Sequence, residues 1–209
     1  MKIVFCLLVF IVVSCTLRNE KREADYLLRE LEDKLMDSND SLAYLLWNEI
    51  NDTLVLSMTE EQRAQYAVLS NQVFDRMDMK YDEELLKEAI RFYEHSDCDD
   101  YYRGLVYYYY GHVLRQQNEM YSLECYDMAL ECFRQCGNLR YEFLCHNYMG
   151  CVYEKNYAMK NAIRKYKEAI DVCKKYKNED YKNCMIASLF RCYVSCYVFA
   201  GDTMSLQKV

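Results

Sequence analysis

Twelve cysteines and three histidines (His95, His112 and His146) are the side chains whose chemistry extends beyond packing. Besides Cys6 and Cys15, the cysteines fall at positions 98, 125, 132, 136, 145, 151, 173, 184, 192 and 196. Cys132/Cys136 and Cys192/Cys196 are i,i+4 pairs. That spacing puts two thiols on one helix face, and His146 close by would suit zinc. Against zinc, no CxxC occurs, and each pair coincides with the apolar stripe of its helix. A free cysteine there acts as a small buried hydrophobe, so packing is the favoured reading. The i,i+4 geometry is also poor for a disulfide. Such heavy thiol use suits a space that is not strongly oxidising, or one that tolerates buried thiols. No GxSxG, HExxH, phosphate loop or paired-carboxylate signature appears, and the acid runs Glu83-Glu84 and Asp97 to Asp100 read as solvated loop or cap residues. The chain is therefore expected to be no enzyme, with no catalytic residue, no cofactor and no metal; a thiol- or metal-handling helical protein stands as an alternative.

The elements that carry these residues follow from composition. The 209 residues are 52% apolar, with no proline and five glycines. Few turns can be built from the usual residues, which favours long helices joined by short polar loops. Val and Ile are sparse after residue 13, which argues against strands. The 22 tyrosines suit helix seams that keep a hydroxyl for a partner. The net charge of -7 repels a phosphate backbone, so nucleic acid is not expected as a partner.

At the amino terminus, Met1-Lys2 precedes Ile3 to Val13, an unbroken run of 11 apolar residues. A bilayer span needs roughly 20, whereas a signal-peptide core needs about this many. The run ends in Val12-Val13-Ser14-Cys15, which resembles the lipobox of bacterial lipoproteins. That resemblance implies a signal peptide over residues 1–14, cleavage before Cys15 and diacylglycerol on its sulfur. Two or more acyl chains hold a protein stably on a membrane. Thr16 follows the cysteine, with no aspartate to suggest inner-membrane retention. The expected location is the cell envelope, lipid-anchored, at the outer membrane. Residues 15–25 read as a lipidated polar tether.

Beyond it, two leading helices are expected over 26–58, one with Leu27, Leu28, Leu31 and Leu35 on a face, the next with Leu42, Leu45, Leu46 and Ile50. Asp40 or Ser41 is the expected cap of the second. Thr59-Glu60-Glu61-Gln62 reads as a capping box. Over 59–209 a pattern recurs: His146, Met149-Gly150, Tyr153, then Ala162, Tyr166 and Ala169. A second copy has Tyr107, Tyr110-Gly111, Leu114, Ser122, Tyr126 and Ala129; a weaker third has Tyr66, Leu69-Ser70, Val73, Leu86 and Ala89. A fourth, incomplete copy starts at Phe190 with Tyr193-Val194, Tyr197 and Gly201. This pattern resembles the tetratricopeptide repeat family over roughly residues 60–209, and the run Ala64-Gln65-Tyr66-Ala67-Val68-Leu69-Ser70-Asn71-Gln72 after leading helices resembles repeat-bearing lipoproteins of Gram-negative bacteria. The fold implied is all-α, a TPR-like α-solenoid of antiparallel helical hairpins. The small residues at 70, 111, 150 and 194 are 41, 39 and 44 residues apart. The family repeat is about 34, so longer helices are expected.

The resemblance also implies a concave groove for a protein or peptide ligand, lined here by Asn71, Tyr108, His112, Arg115, Asn147 and Arg191, with Lys155 further along its helix. The function so implied is a membrane-anchored protein–protein interaction scaffold of the envelope, with the membrane itself as partner through Cys15. A sensor portion of a truncated signalling or transcription regulator is the other alternative.

Overall fold

In the computed structural model, residues 2–95, 99–117 and 119–177 are described, together with the single positions 183, 186, 189, 190, 194 and 198; for residues 2–18 the description covers the backbone alone. Among the described residues the protein is all-α, with nine helices and no strand: α1 (Lys2–Met36), α2 (Asp40–Glu49), α3 (Asp52–Ser57), α4 (Glu60–Arg76), α5 (Glu83–His95), α6 (Asp100–Gln117), α7 (Glu119–Gln135), α8 (Leu139–Lys155) and α9 (Met159–Cys173). They fall into two compact units, Met1–Asp97 and Cys98–Val209. Apart from Phe190 and Val194, the fourth repeat lies outside the described residues, as do Arg191, Cys98, Cys184, Cys192 and Cys196.

Unit 1 is built on α1, which packs against α2, α3 and α4. Leu27, Leu28, Leu31 and Leu35 are all buried, as their spacing predicts. Residues 19–25, expected as a tether, instead continue α1, with Ala24 fully buried. The reason lies forty residues away. The Thr59–Gln62 capping box forms, with Thr59 Oγ1 accepting from the Gln62 amide at 3.2 Å and Gln62 Oε1 accepting from the Thr59 amide at 2.8 Å. The spare Gln62 Nε2 then donates to Lys21 O at 3.0 Å and to Asp25 Oδ1 at 2.6 Å. The cap of α4 thus ties down α1 at Lys21 and Asp25.

The inward face of α2 differs from the expected one. It buries Ala43 and Ile50 with Leu46 and Trp47 packed alongside, while Leu42 and Leu45 face solvent. Trp47 has more area to bury than a leucine. It also finds a partner, donating from Nε1 to Ser70 Oγ at 3.0 Å and standing edge-on to Phe74. The cap is Asn39 rather than Asp40 or Ser41, and Asn51 caps the extra helix α3.

Unit 2 consists of hairpins. Gly104 faces Phe133 and Gly111 faces Tyr126, so α6 and α7 run antiparallel. Phe133 stacks on Tyr141 and Tyr126 on Tyr148, so α7 and α8 do too. Tyr101 and Tyr108 both touch Tyr141, and Tyr108 and Arg115 both touch Tyr148; α6 and α8 therefore lie side by side in the same direction. The glycines matter by close approach. A Cβ on Gly111 would sit 2.7 Å from Tyr126 Cε1, and one on Gly150 would sit 2.5 Å from Tyr166 Cε1. Each glycine admits a tyrosine ring. In unit 1 the residues at the corresponding repeat positions, Ser70 and Leu86, are both fully buried.

Helix ends are closed without proline and with a single glycine. Ser38, Asp78, Gly137 and Tyr157 take positive φ between 53° and 71° just after α1, α4, α7 and α8. The next amide in each case bonds back five residues, as in Asn138 N to Phe133 O at 2.8 Å and Ala158 N to Tyr153 O at 2.9 Å.

Candidate functional site: an aromatic column, a cationic cleft and a buried charge cluster

The groove residues expected from the sequence are divided by the structure. Asn71 is fully buried inside the α4–α5 hairpin. Its Oδ1 accepts from the Asp82 amide at 2.8 Å and its Nδ2 donates to Ala67 O at 2.8 Å, so the side chain closes the loop into α5. Tyr108 and His112 are also buried, as members of an aromatic column in unit 2. The His112 ring stands edge-on to Tyr108 at 4.5 Å and to Tyr148 at 4.4 Å between centroids. Its Nδ1 is 3.3 Å from Tyr126 Oη. Burial, reinforced by the Arg115 charge, lowers the imidazole pKa to about 3, so the ring is neutral. Asn147 lies half-buried on α8.

Arg115 does reach a surface. Its guanidinium lies 4.9 Å over the Tyr148 ring, and this cation–π seat fixes a side chain that would otherwise sample many rotamers. It lines a cleft of about 470 Å³ between the carboxyl ends of α6 and α8, with Gln116, Gln117, Cys151, Val152 and Lys155. The lining holds two cations and no acid in a chain of net charge -7. Part of that charge answers the carbonyl ends of two helices. Beneath the cleft Tyr166 Oη donates to Glu154 Oε2 at 2.7 Å and lies 3.4 Å from Cys151 Sγ.

A second set of polar groups, spread over residues 127 to 175, was not legible in the sequence. Buried Glu142 and His146 on α8 and buried Lys165 on α9 meet Arg134 and Asp127 of α7 and Glu168 of α9. Arg134 Nη2 lies 3.2 Å from His146 Nε2. A guanidinium offers only donors, so Nε2 accepts and the imidazole proton is assigned to Nδ1, 3.1 Å from Glu168 Oε2. Burial first and the Lys165 charge next lower the His146 pKa to about 4. Glu142 Oε1 also receives Arg134 Nε at 3.3 Å and Lys175 Nζ at 3.5 Å. These groups cross-link three helices. Cys145 beside them is fully buried and its thiol is pushed well up by desolvation, the opposite of an activated nucleophile.

Burial likewise pushes Cys125, Cys132 and Cys173 up to about 11. Among the described residues no group of three or more His, Cys, Asp or Glu side chains is placed to hold a metal, and Cys132 and Cys136 do not converge with His146 on one point. No described helix is long and apolar enough to cross a membrane.

Together these features define an all-α protein of consecutive helical hairpins with a polar cleft at the helix ends of unit 2. A solved structure with a similar course of chain is that of BtubC (BKLC) from P. vanneervenii, 12% identical, covering 92% of this chain and 87% of that one with a TM-score of 0.65. At that identity the likeness speaks for the fold alone. No family model matches the chain, and no curated protein matches it in sequence.

Proposed function

We propose that the protein is a membrane-anchored interaction scaffold of the bacterial cell envelope, built from TPR-like repeats, which takes a polypeptide partner in the cleft between α6 and α8. One observation carries this reading: two helices run parallel, side by side, with their glycine–tyrosine contacts repeated, and a cleft with preset cations opens between their ends. Stacked hairpins of this kind present extended surfaces made by equivalent helices. The Arg115 guanidinium, fixed on Tyr148, and Lys155 at the cleft's far side favour a segment carrying acidic side chains. Anchoring through Cys15, behind the apolar run 3–13, would present the cleft at a membrane surface.

The test places a photo-cross-linking amino acid at Gln116 in the full-length protein in intact envelopes. The reading expects a discrete cross-linked polypeptide that disappears in the Arg115→Glu/Lys155→Glu double variant. Absence of any adduct, or an adduct indifferent to the charge reversal, would end the proposal.

A further inference from the structure

Unit 1 carries a cleft of its own, about 640 Å³, that the reading above leaves unused. Val55 and Leu56 of α3, Ala64 of α4 and Phe92 of α5 supply its apolar surface, and Glu60, Arg63, Glu88 and Arg91 its rim. The same short motif lines it from both sides of the α4–α5 hairpin: Glu60-x-x-Arg63-Ala64 on α4 and Glu88-x-x-Arg91-Phe92 on α5. Because α5 returns along α4, the rim alternates acid and base in two opposed directions.

Among the described residues these charges are not paired with one another. Arg63 Nη1 turns to Met58 O and Arg91 Nε to Lys87 O, each at 3.3 Å, rather than to the glutamates three residues before them. None of the four forms an ion pair within 4.0 Å among the described residues, although i,i+3 spacing would allow two. Leu56 stands at the edge with 82% of its surface exposed, the most exposed large apolar side chain among the described residues. A solvated helix face accounts for rim charges. It does not account for a bare leucine and a phenylalanine edge over an open hollow.

We infer that this cleft is the contact between two copies of the chain, arranged about a two-fold axis. A two-fold contact joins a patch to itself, so it requires a patch complementary to its own image. An equal count of acids and bases in opposed order meets that condition: Glu60 and Glu88 of one copy face Arg91 and Arg63 of the other. Leu56 of each copy enters the other's hollow, giving an apolar centre inside a polar rim. A partner protein of uniform charge would meet two like charges whichever sign it carried.

The test uses two full-length chains with different tags, co-expressed and extracted in mild detergent, with capture of one tag and measurement of the other. Wild type should recover its tagged sibling. Pairing Glu60→Lys/Glu88→Lys with itself, or Arg63→Glu/Arg91→Glu with itself, should lower recovery about tenfold or more through like-charge repulsion. Mixing the two variants should restore it. Leu56→Asp, at a solvent-facing position where folding is indifferent, should also abolish recovery. No recovery in wild type, equal recovery in all pairs, or failure of the mixed pair to restore it while both variants keep the wild-type melting profile would each overturn the inference.

Discussion

Gly150 and Tyr166 are packed so closely that a single methyl group does not fit between them: the glycine face of α8 lies flat on the tyrosine ring of α9, with the nearest ring carbon 2.5 Å from where a Cβ would be. Tyr166 cannot retreat, because its ring is fully buried and its hydroxyl is engaged with Glu154. Gly150→Ala should therefore destabilise unit 2 by about 1–3 kcal/mol, the usual cost of overpacking, despite alanine's better helix propensity. Urea unfolding of the two proteins measures this. An alanine variant as stable as the wild type would mean that the hairpins are not held by this contact.

Stability should fall in mild acid. His112 and His146 are held neutral, with pKa values of about 3 and about 4 against an ordinary 6.5. In the unfolded chain both rings take up protons as the pH falls through about 6.5, while in the folded protein they do not until near 4. Across that window the unfolded state binds more protons, so stability present above 6.5 is lost as pH decreases. The loss is at most about 1.4 kcal/mol per pH unit for each ring. Urea midpoints at pH 7, 5.5 and 4.5 follow it, and His112→Phe should flatten the slope. A profile unchanged by that substitution would mean His112 is not a source of the acid sensitivity.

Asn71 separates a structural role from a binding one. Its amide satisfies the Asp82 N–H and the Ala67 carbonyl from a fully buried position. Asn71→Ala should cost about 2 kcal/mol in unfolding free energy, the range for a buried donor and acceptor left unmade. Cross-linking from Gln116 should be unaffected. The reverse pattern, full stability with loss of the adduct, would return Asn71 to the binding surface.

Lipidation at Cys15 predicts a mature chain starting at that residue, with an amino-terminal peptide heavier by its acyl groups. Intact mass spectrometry of envelope-extracted protein reads this directly. Cys15→Ala should leave the signal peptide uncleaved and the acyl mass missing. An amino terminus at any other residue would contradict the lipobox reading.

Local rules made much of the fold readable. Helical spacing of Leu27, Leu28, Leu31 and Leu35, the Thr59–Gln62 box, and the recurrence of a small residue with an aromatic about sixteen positions later all depend on residues near in sequence. Each survives in the structure because short-range geometry decides it. The burial of Leu86, Ala89, Tyr126, Ala129, Tyr166 and Ala169 follows from the same repeat.

What the chain's own order left open needed a partner from elsewhere in space. Which face of α2 turns inward depended on Trp47 finding Ser70, 23 residues on. Whether residues 19–25 hang free depended on a spare amide of Gln62. Tyr108 and His112 sit at offsets that open onto a groove in an idealised repeat, yet large rings from α7 and α8 close over them. The charge cluster joins Glu142 and His146 of α8 to Lys165 and Glu168 of α9, up to 26 positions apart, a pairing between helices that local spacing does not predict. Sequence alone therefore determined the capping box that starts α4, the apolar stripe of α1 and where the paired helices of unit 2 must touch. Tertiary structure decided which polar side chains are used up internally and which stay at the surface, because a side chain's surroundings are set by neighbours that only folding brings near.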